Sequence, residues 1–537
     1  ADLALEAAVD AARRWLSLPE RPTVVLTSRE SLGIPSESRL VVHPLDRDRA
    51  VELYVTLARR ARGEDGDEEA PQERIVELVE RLDRNPLAIE LAASRAATLA
   101  ADQLAERLPD DIQLLRRRKP PADSRHASLE KAIDWSSSRL DDALREVIHG
   151  CAIFERGFDL HAASNVLDGD VATHLDALVH KSWLRTDGTS SSHTRRFVIP
   201  GLQRSYLQRK ARNDDTVDAA VATRHLHYFA DQCDKRLEHR HTTEQAADDL
   251  DWLLTESANI ESATRRALDR KDWVRAATLM LASDLVSRCK GPVEGCFERM
   301  THVLDEAAEQ LGAETTCRLL SARGEWHKRQ GRLEESLADL YDAQSRADDS
   351  GDWRTSAWLG LRAADLLRAQ SRYPAAQEKL NQAAGVLEEH EAPQLQRDLH
   401  AYRAALLVDT GDFEGAIDEL AALVHLPRHP ELFREFECLR SQIYARFHLG
   451  DNSALSSLSK RLEQMLEARP VDRLQAAYWR LRGDAAYAAR KLDEAADFYL
   501  DAMEVFAEIG EDFLHGVIAG SLGGVELLRQ RADAALA

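Results

Sequence analysis

Several features that mark common protein classes are scarce in this chain, and each scarcity excludes something. Its six cysteines, Cys151, Cys233, Cys289, Cys296, Cys317 and Cys438, are scattered among 537 residues without C-x-x-C spacing. Neither a disulfide framework nor a zinc ribbon is encoded, and a reducing, cytoplasmic setting is expected. Aromatic residues make up only 6%, and β-branched runs are few, which argues against an all-β fold. No apolar run approaches the ~18 residues of a membrane helix, and no basic region followed by an apolar stretch opens the chain, so no membrane contact is expected. Lys and Arg number 71 against 93 Asp and Glu, for a net charge of −22. Broad binding to a phosphate backbone, and with it direct nucleic-acid binding, is not expected. A G-x-x-x-x-G-K-[ST] loop, an apolar strand ending in paired carboxylates and a G-x-S-x-G elbow are also missing.

What is abundant is Ala, Leu, Glu and Arg, the composition of a mostly helical protein. The length suggests about three or four domains. Against this background TVVLTS (Thr23 to Ser28) stands out. It follows an amphipathic stretch, ADLALEAAVDAARRWLSL, and a PERP break, the order of a helix feeding a strand of a parallel sheet. Such a strand is expected to be buried, with Arg29 at its carboxyl end, where open α/β sheets bind ligands. A guanidinium there suits a phosphate; a surface pairing with Glu30 or Glu37 is the alternative.

Further along come ERIVELVERLDRNPLAIELAASRAATL, then SLEKAIDWSSSRLDDALREVIHGCAIFERGFDLHAASNVL, LDALVHKSWLR and RFVIPGLQRSYLQRKA. The order of these landmarks over roughly residues 1 to 230 resembles the STAND or NB-ARC class of signalling ATPases, in the branch of large bacterial multidomain regulators. The resemblance implies that Thr27-Ser28-Arg29 is the sensor-one motif, with Arg29 reading the terminal phosphate of ATP and Ser28 beside it. It also maps Arg84-Asn85-Pro86-Leu87 onto the family's Gly-Leu-Pro-Leu motif, of which Pro86 and Leu87 match, with the proline near adenine. A proline in the first turn of an apolar helix needs no nucleotide to explain it, because its missing N–H has no intrahelical partner there.

Residues 126–212 read as helices followed by LRTDGTSSSHTRRFVIP, two extended stretches around a Gly/Ser-rich turn, which together make a winged helix. Its candidate recognition helix, VATHLDALVHKSW, lacks the Arg, Lys, Asn and Gln of a base reader. In the resembled family this module packs over the nucleotide, and some members contact the diphosphate through Met-His-Asp; Ile199-Pro200-Gly201 stands there instead.

From about residue 312 the chain repeats. Turns at Gly331, Ser371, Gly411, Gly450, Arg490 and Gln530 are 40, 40, 39, 40 and 40 residues apart. Small residues such as Gly324, Ala364, Ala404 and Gly483 recur seven before the turns, and Ser336, Ala376, Ala416 and Ala495 five after them. Small residues at both places let antiparallel helices pack closely, and the pattern resembles lengthened tetratricopeptide (TPR) repeats. Stacked pairs form a solenoid whose concave face holds a protein or peptide. Trp326, Tyr402, Tyr444 and Trp479 are candidates either for that face or for the core.

The expected organisation is thus mostly α: the C-terminal part of an α/β nucleotide-binding domain (1–45), a helical domain (46–125), a winged helix (126–212), a helical linker or irregular first repeats (213–311) and TPR-like repeats (312–537). Both ends look cut, so a fragment of a longer reading frame is expected. ATP or ADP with Mg would belong to the parent protein; without Walker A and Walker B this chain is expected to be catalytically silent. The leading expectation is a nucleotide-gated regulatory region whose repeats bind a ligand, with ligand-dependent assembly as in the resembled class. The alternatives are a nucleotide-independent scaffold, or part of a transcriptional or kinase-linked regulator whose output domain lies elsewhere. His225/His227 and His239/His241 are spaced i, i+2, pointing to different sides of a helix rather than forming a metal site.

Overall fold

The computed structural model describes residues 5–18, 23–28, 33–34, 37–38, 40, 42–62, 71–108, 115, 129–187, 195–213, 219–238, 246–291, 295–426, 432–468 and 471–529. The chain divides into two compact units, Ala1–Tyr228 and Phe229–Ala537.

The first unit opens with α1 (Leu5–Leu16), α2 (Arg47–Arg62), α3 (Gln72–Arg81), α4 (Pro86–Ala93) and α5 (Ala101–Arg107). Leu78, Leu82, Ile89 and Leu91 are fully buried among them. Between α1 and α2, the sequence predicts a buried strand at Thr23–Ser28, and here the structure differs. Those residues are irregular backbone, Val25 is 84% exposed, and no ladder partner exists among the described residues. A β-branched run has strand propensity, but a strand is made in a ladder, and a segment outside any ladder gains none of the hydrogen bonds between strands that would offset its ordering.

Next come α6 (Leu129–Ser137), α7 (Asp142–Cys151), β1 (Phe158–Asp159), α8 (Leu160–Val166), α9 (Val171–His180), β2 (Arg185–Asp187), β3 (Arg196–Val198) and α10 (Gly201–Asn213). Asp141, Asp159 and Asp170 cap α7, α8 and α9 by accepting backbone N–H bonds, the usual reason a helix starts at Asp. The strands form an antiparallel sheet in the order β1-β3-β2, with Phe158 and Thr186 flanking Phe197. Phe154 stacks on Phe158 at 4.4 Å, and Phe158 on Phe197 at 5.9 Å, so a short sheet is held by aromatic packing more than by its few ladder bonds.

Helix α11 (Ala219–Glu238) runs across the boundary between the units. The second unit continues with α12 (Ala246–Thr255), α13 (Ser257–Asp269), α14 (Trp273–Lys290) and α15 (Cys296–Ala307). Then follow α16 (Ala313–Arg329), α17 (Leu333–Asp349), α18 (Trp353–Ala369), α19 (Tyr373–Glu389), α20 (Pro393–Thr410) and α21 (Phe413–Ala422). The last are α22 (Leu432–His448), α23 (Asn452–Ala468), α24 (Asp472–Ala488), α25 (Leu492–Glu508) and α26 (Asp512–Leu528). Most are 17 residues long with three-residue links, which produces the 40-residue step.

Most of the links share one geometry. A residue with positive φ ends the helix, at Lys271, Gly331, Gly351, Ser371, Gly411, Gly450, Arg490 and Gly510. The next residue donates its N–H five positions back, as in Asp352 to Ala347, Asp412 to Leu407 and Lys491 to Ala486, each 2.9 Å. This is a Schellman ending, satisfying a carbonyl the helix leaves open. Asp272, Asp352, Asp412 and Asp451 then cap the following helix through their side chains. The sequence's small positions lie in the helix contacts: Ala364, Ala376, Ala404, Ala416 and Ala495 are buried to within 1%. A Cβ on Gly483 would meet the Tyr499 ring at 2.5 Å. The protein is mostly α, with a TPR-like solenoid.

Left-handed backbone costs an L residue about 1–2 kcal/mol, of which glycine returns part as chain entropy. Arg490→Gly and Ser371→Gly are therefore expected to raise the unfolding free energy by about 0.5–1 kcal/mol, and Asp412→Ala to lower it by about 1 kcal/mol. Urea unfolding checks this, and a loss in both glycine variants contradicts the turn geometry.

Candidate functional site

Of the residues singled out in the sequence, Arg29 lies outside the described residues. Ser28 is half-buried at the end of the irregular segment. Pro86 and Leu87 share the first turn of α4, Pro86 exposed and Leu87 half-buried. Asn85 caps this helix, its Oδ1 accepting from Leu87 N at 3.0 Å and Ala88 N at 3.2 Å. Just before it, Asp83 and Arg84 both adopt positive φ. The turn aims the Asp83 carboxylate at the start of α10, where it accepts from Leu202 N at 2.9 Å. A carboxylate on a helix N-terminus is favoured by the exposed N–H groups and the helix dipole.

A dense group of buried and half-buried charges lies in the second unit. The first helices of successive pairs, α16, α18, α20, α22 and α24, turn one face toward a cavity of about 490 Å³. Its described lining carries nine Lys and Arg against five Asp and Glu, a local excess of positive charge in a chain whose net charge is −22.

These groups form a lattice. Arg362 donates to Glu325 Oε2 at 2.8 Å and to Ser321 Oγ at 2.6 Å. Lys328 and Arg368 share Asp365, at 3.0 and 2.8 Å, and Arg368 reaches on to Asp409 at 2.5 Å. Arg440 pairs with Glu437 at 2.7 Å. Burial alone would raise the carboxyls of Glu325 and Asp365, yet the cations around them hold both far below the usual range: Lys328, Arg362, Arg288 and Arg473 for the first, Lys328 and Arg368 for the second. Both are carboxylates at any physiological pH.

One pair closes the solenoid on itself. Arg329 of α16 and Glu511, in the link before α26, are each only 2% exposed and 3.1 Å apart. Arg473 of α24 approaches the same Glu511 oxygen at 2.9 Å and also lies 3.7 Å from Glu325. Helix α14 packs on α24, and α16 on α26. Gly291 sits so close to Ile509 that a Cβ would stand 3.0 Å from its Cα. The first and last described pairs are thus in contact, and a groove becomes a cavity.

A half-buried carboxyl, Asp484 of α24, accepts from Tyr499 OH at 2.6 Å and from Tyr444 OH. Burial raises it to about 6, against the Tyr499 hydrogen bond and Arg440. Tyr402 and Tyr444 line the cavity, whereas Trp326 is buried and Trp479 packs against the core of the last pairs.

Sequence reasoning missed this lattice. Its signal was present in the register: Glu325 and Asp365, Lys328 and Arg368, and Arg440 and Arg480 each occupy the same place one 40-residue step apart. The other candidates stay plain. Burial pushes the Cys296 and Cys438 thiols up to about 12, which leaves them unreactive. Among the described residues no Cys, His, Asp and Glu group could hold a metal ion, and no helix is long and apolar enough to cross a membrane. His225 is buried against Phe154, while His239 and His241 lie outside the described residues.

No family model matches the chain. It is 35% identical over 147 residues to an uncharacterized protein of Mycobacterium tuberculosis, a match covering 27% of this chain and 37% of that one. It is 31% identical over 214 residues to a protein of the same organism provisionally named an HTH-type transcriptional regulator, covering 38% of this chain and 24% of the relative. The matched stretches span well under half the length of these curated relatives. Similar solved structures include a STAND protein with a tetratricopeptide repeat sensor from Pyrococcus horikoshii, at 12% identity and TM-score 0.39, covering 94% of this chain and 67% of that one. A tetratricopeptide repeat protein from Parabacteroides merdae is 14% identical with TM-score 0.33, covering 57% and 99%. Yeast Tom70 is 11% identical with TM-score 0.31, covering 98% and 93%.

Because Asp484 holds its proton to higher pH folded than unfolded, the folded state binds more protons between about pH 4 and 6, and this residue's contribution to stability falls as pH rises through that window. Asp484→Asn is expected to flatten the loss by up to about 3 kcal/mol. Denaturant unfolding from pH 4 to 7 reads it, and parallel profiles for the two proteins contradict it. Glu511→Ala, which strands the buried guanidinium of Arg329 and removes one partner of Arg473, is expected to cost about 3–5 kcal/mol, with Arg329→Met in the same chain restoring part. An additive double variant in thermal or urea unfolding excludes coupling between the two.

Proposed function

We propose that this chain is the regulatory and sensor region of a STAND-type ATP-dependent signal-transduction protein. The observation that carries this reading is the cavity built by successive first helices of the solenoid, a polar, half-enclosed site on the face where stacked helix pairs take up partners. A protein or other ligand held there biases a two-state arrangement of the first unit. In that unit α7, α8, α9 and the β1-β3-β2 sheet are read as a winged helix, and Ser28, Arg29, Pro86 and Leu87 as the nucleotide-facing residues. The exposed ring of Pro86 suits an adenine contact. ATP or ADP with Mg would be held jointly with a phosphate loop and carboxylates carried by a longer polypeptide, together with its output domain. The name of the mycobacterial relative supports a transcriptional output.

A second reading, a scaffold that responds to no nucleotide, is favoured by one contact. Asp83 occupies the N-terminus of α10, beside Ile199-Pro200-Gly201, where members of the resembled class use Met-His-Asp on the diphosphate. An acidic group already there opposes a second anion.

The two readings separate in the longer protein. Arg29→Ala is expected to weaken Mg-ATP about tenfold, the loss of one charge-assisted contact, and ADP far less. Calorimetric titration with both nucleotides decides: equal losses overturn the sensor assignment, and no Mg-ATP binding by the unaltered protein establishes the scaffold.

A further inference from the structure

The lattice around the cavity is unevenly paired. Arg362, Arg368 and Lys328 have carboxylates within 3.0 Å. Among the described residues, the carboxylate within 4 Å of Arg434 is Asp398 at 3.9 Å; Arg434 also meets the Tyr402 hydroxyl, on whose ring it lies at 4.7 Å. Among the described residues, the carboxylate within 4 Å of Arg480 is Asp484 at 4.0 Å, and its buried Nε has no hydrogen-bond partner there. Arg440, held by Glu437 at 2.7 Å, stands at the same place one repeat earlier and lies 5.7 Å from the Tyr444 ring. Three carboxylates stand behind the lining: Asp284, Asp398 and Asp484. Each pairs with an arginine of the lining, which itself carries nine Lys and Arg against five Asp and Glu.

Partly desolvated guanidiniums side by side repel one another and cost solvation, and a fold gains nothing from them without counter-charge. An anion in the cavity supplies it. We propose that the cavity binds a small multivalent anion, a phosphorylated or polycarboxylate molecule, between Arg434, Arg440 and Arg480. The planar forks of these arginines match phosphate and carboxylate oxygens equally. Size selects a small molecule over a peptide. The cavity, about 490 Å³, is in the range of small-ligand sites. A peptide laid along the concave face would have to part Glu511 from Arg329 and Arg473.

This inference rests on reading the solenoid as the sensor, and one set of titrations tests both. Inorganic tripolyphosphate and citrate are titrated into the full chain by calorimetry, with a glutamate-rich peptide as the macromolecular arm. The expected result is one-site binding of at least one small anion. It should weaken tenfold or more in Arg480→Gln and Arg434→Gln, by less in Arg434→Lys, which keeps the charge and loses the fork, and stay unchanged in Arg346→Gln, an exposed control on α17. Preference for tripolyphosphate or citrate assigns phosphate or carboxylate chemistry. No saturable binding, or equal weakening by the Arg346 control, overturns the site; if Arg434→Gln fails to fold, Arg480→Gln and Arg434→Lys decide. Tighter binding of the peptide overturns the small-anion assignment. Anion binding that leaves nucleotide affinity of the longer protein unchanged overturns the sensor reading and leaves the anion site standing.

Discussion

The second unit depends on a single buried carboxylate. Glu511 lies between Arg329 and Arg473, and those three residues join the beginning and end of the described repeats. Each charge is withdrawn from water at a cost that one partner alone would not offset. The second guanidinium, the Ser287 hydroxyl on Arg329 at 3.1 Å and the Trp326 ring at 4.7 Å surround the pair, while Arg329 Nε and Glu511 Oε1 meet at 3.1 Å as an ion contact outside hydrogen-bond geometry. Where a Schellman link elsewhere carries an Asp that caps the next helix, this one carries a longer acid that reaches across instead. One methylene separates a residue that starts a helix from one that closes a solenoid.

Closure changes what the concave face can do. In an open array, charged side chains on the first helices would be screened by water and worth little as pairs. Inside a cavity the same groups act at lower effective dielectric, so pairing and mispairing both matter more. Glu325 and Asp365 are held ionised by their neighbours, and Arg434 and Arg480 are left with distant partners. The recognition chemistry follows from this unevenness rather than from total charge, which is strongly negative.

The repeat was legible because its punctuation is local. A left-handed residue and a capping Asp or its substitute recur every 40 residues, and Ser371 and Arg490 hold the place even without glycine. The closure was not legible, because Arg329, Arg473 and Glu511 are brought together only by the accumulated rotation of several helix pairs, which no local spacing encodes. The opposite failure occurred at Thr23–Ser28, where local propensity predicts a strand but tertiary pairing decides. Pro86 was legible as a helix start, and the structure adds the Asn85 cap and the Asp83 contact with α10 as reasons for that turn. The charged lattice could have been seen in the register of Arg440 with Arg480 and of Lys328 with Arg368, had charges been followed as closely as small residues.

The most direct test of the closed cavity is a distance. Spin labels on Lys290 and Asp472, exposed positions on α14 and α24 beside Cys289 and Leu474, which share one core cluster, report on it by pulsed electron resonance. A short, narrow distribution in the otherwise native chain that broadens and lengthens with Glu511→Ala is the expected result. A long or broad distribution in the native chain, or one indifferent to Glu511, would contradict the account.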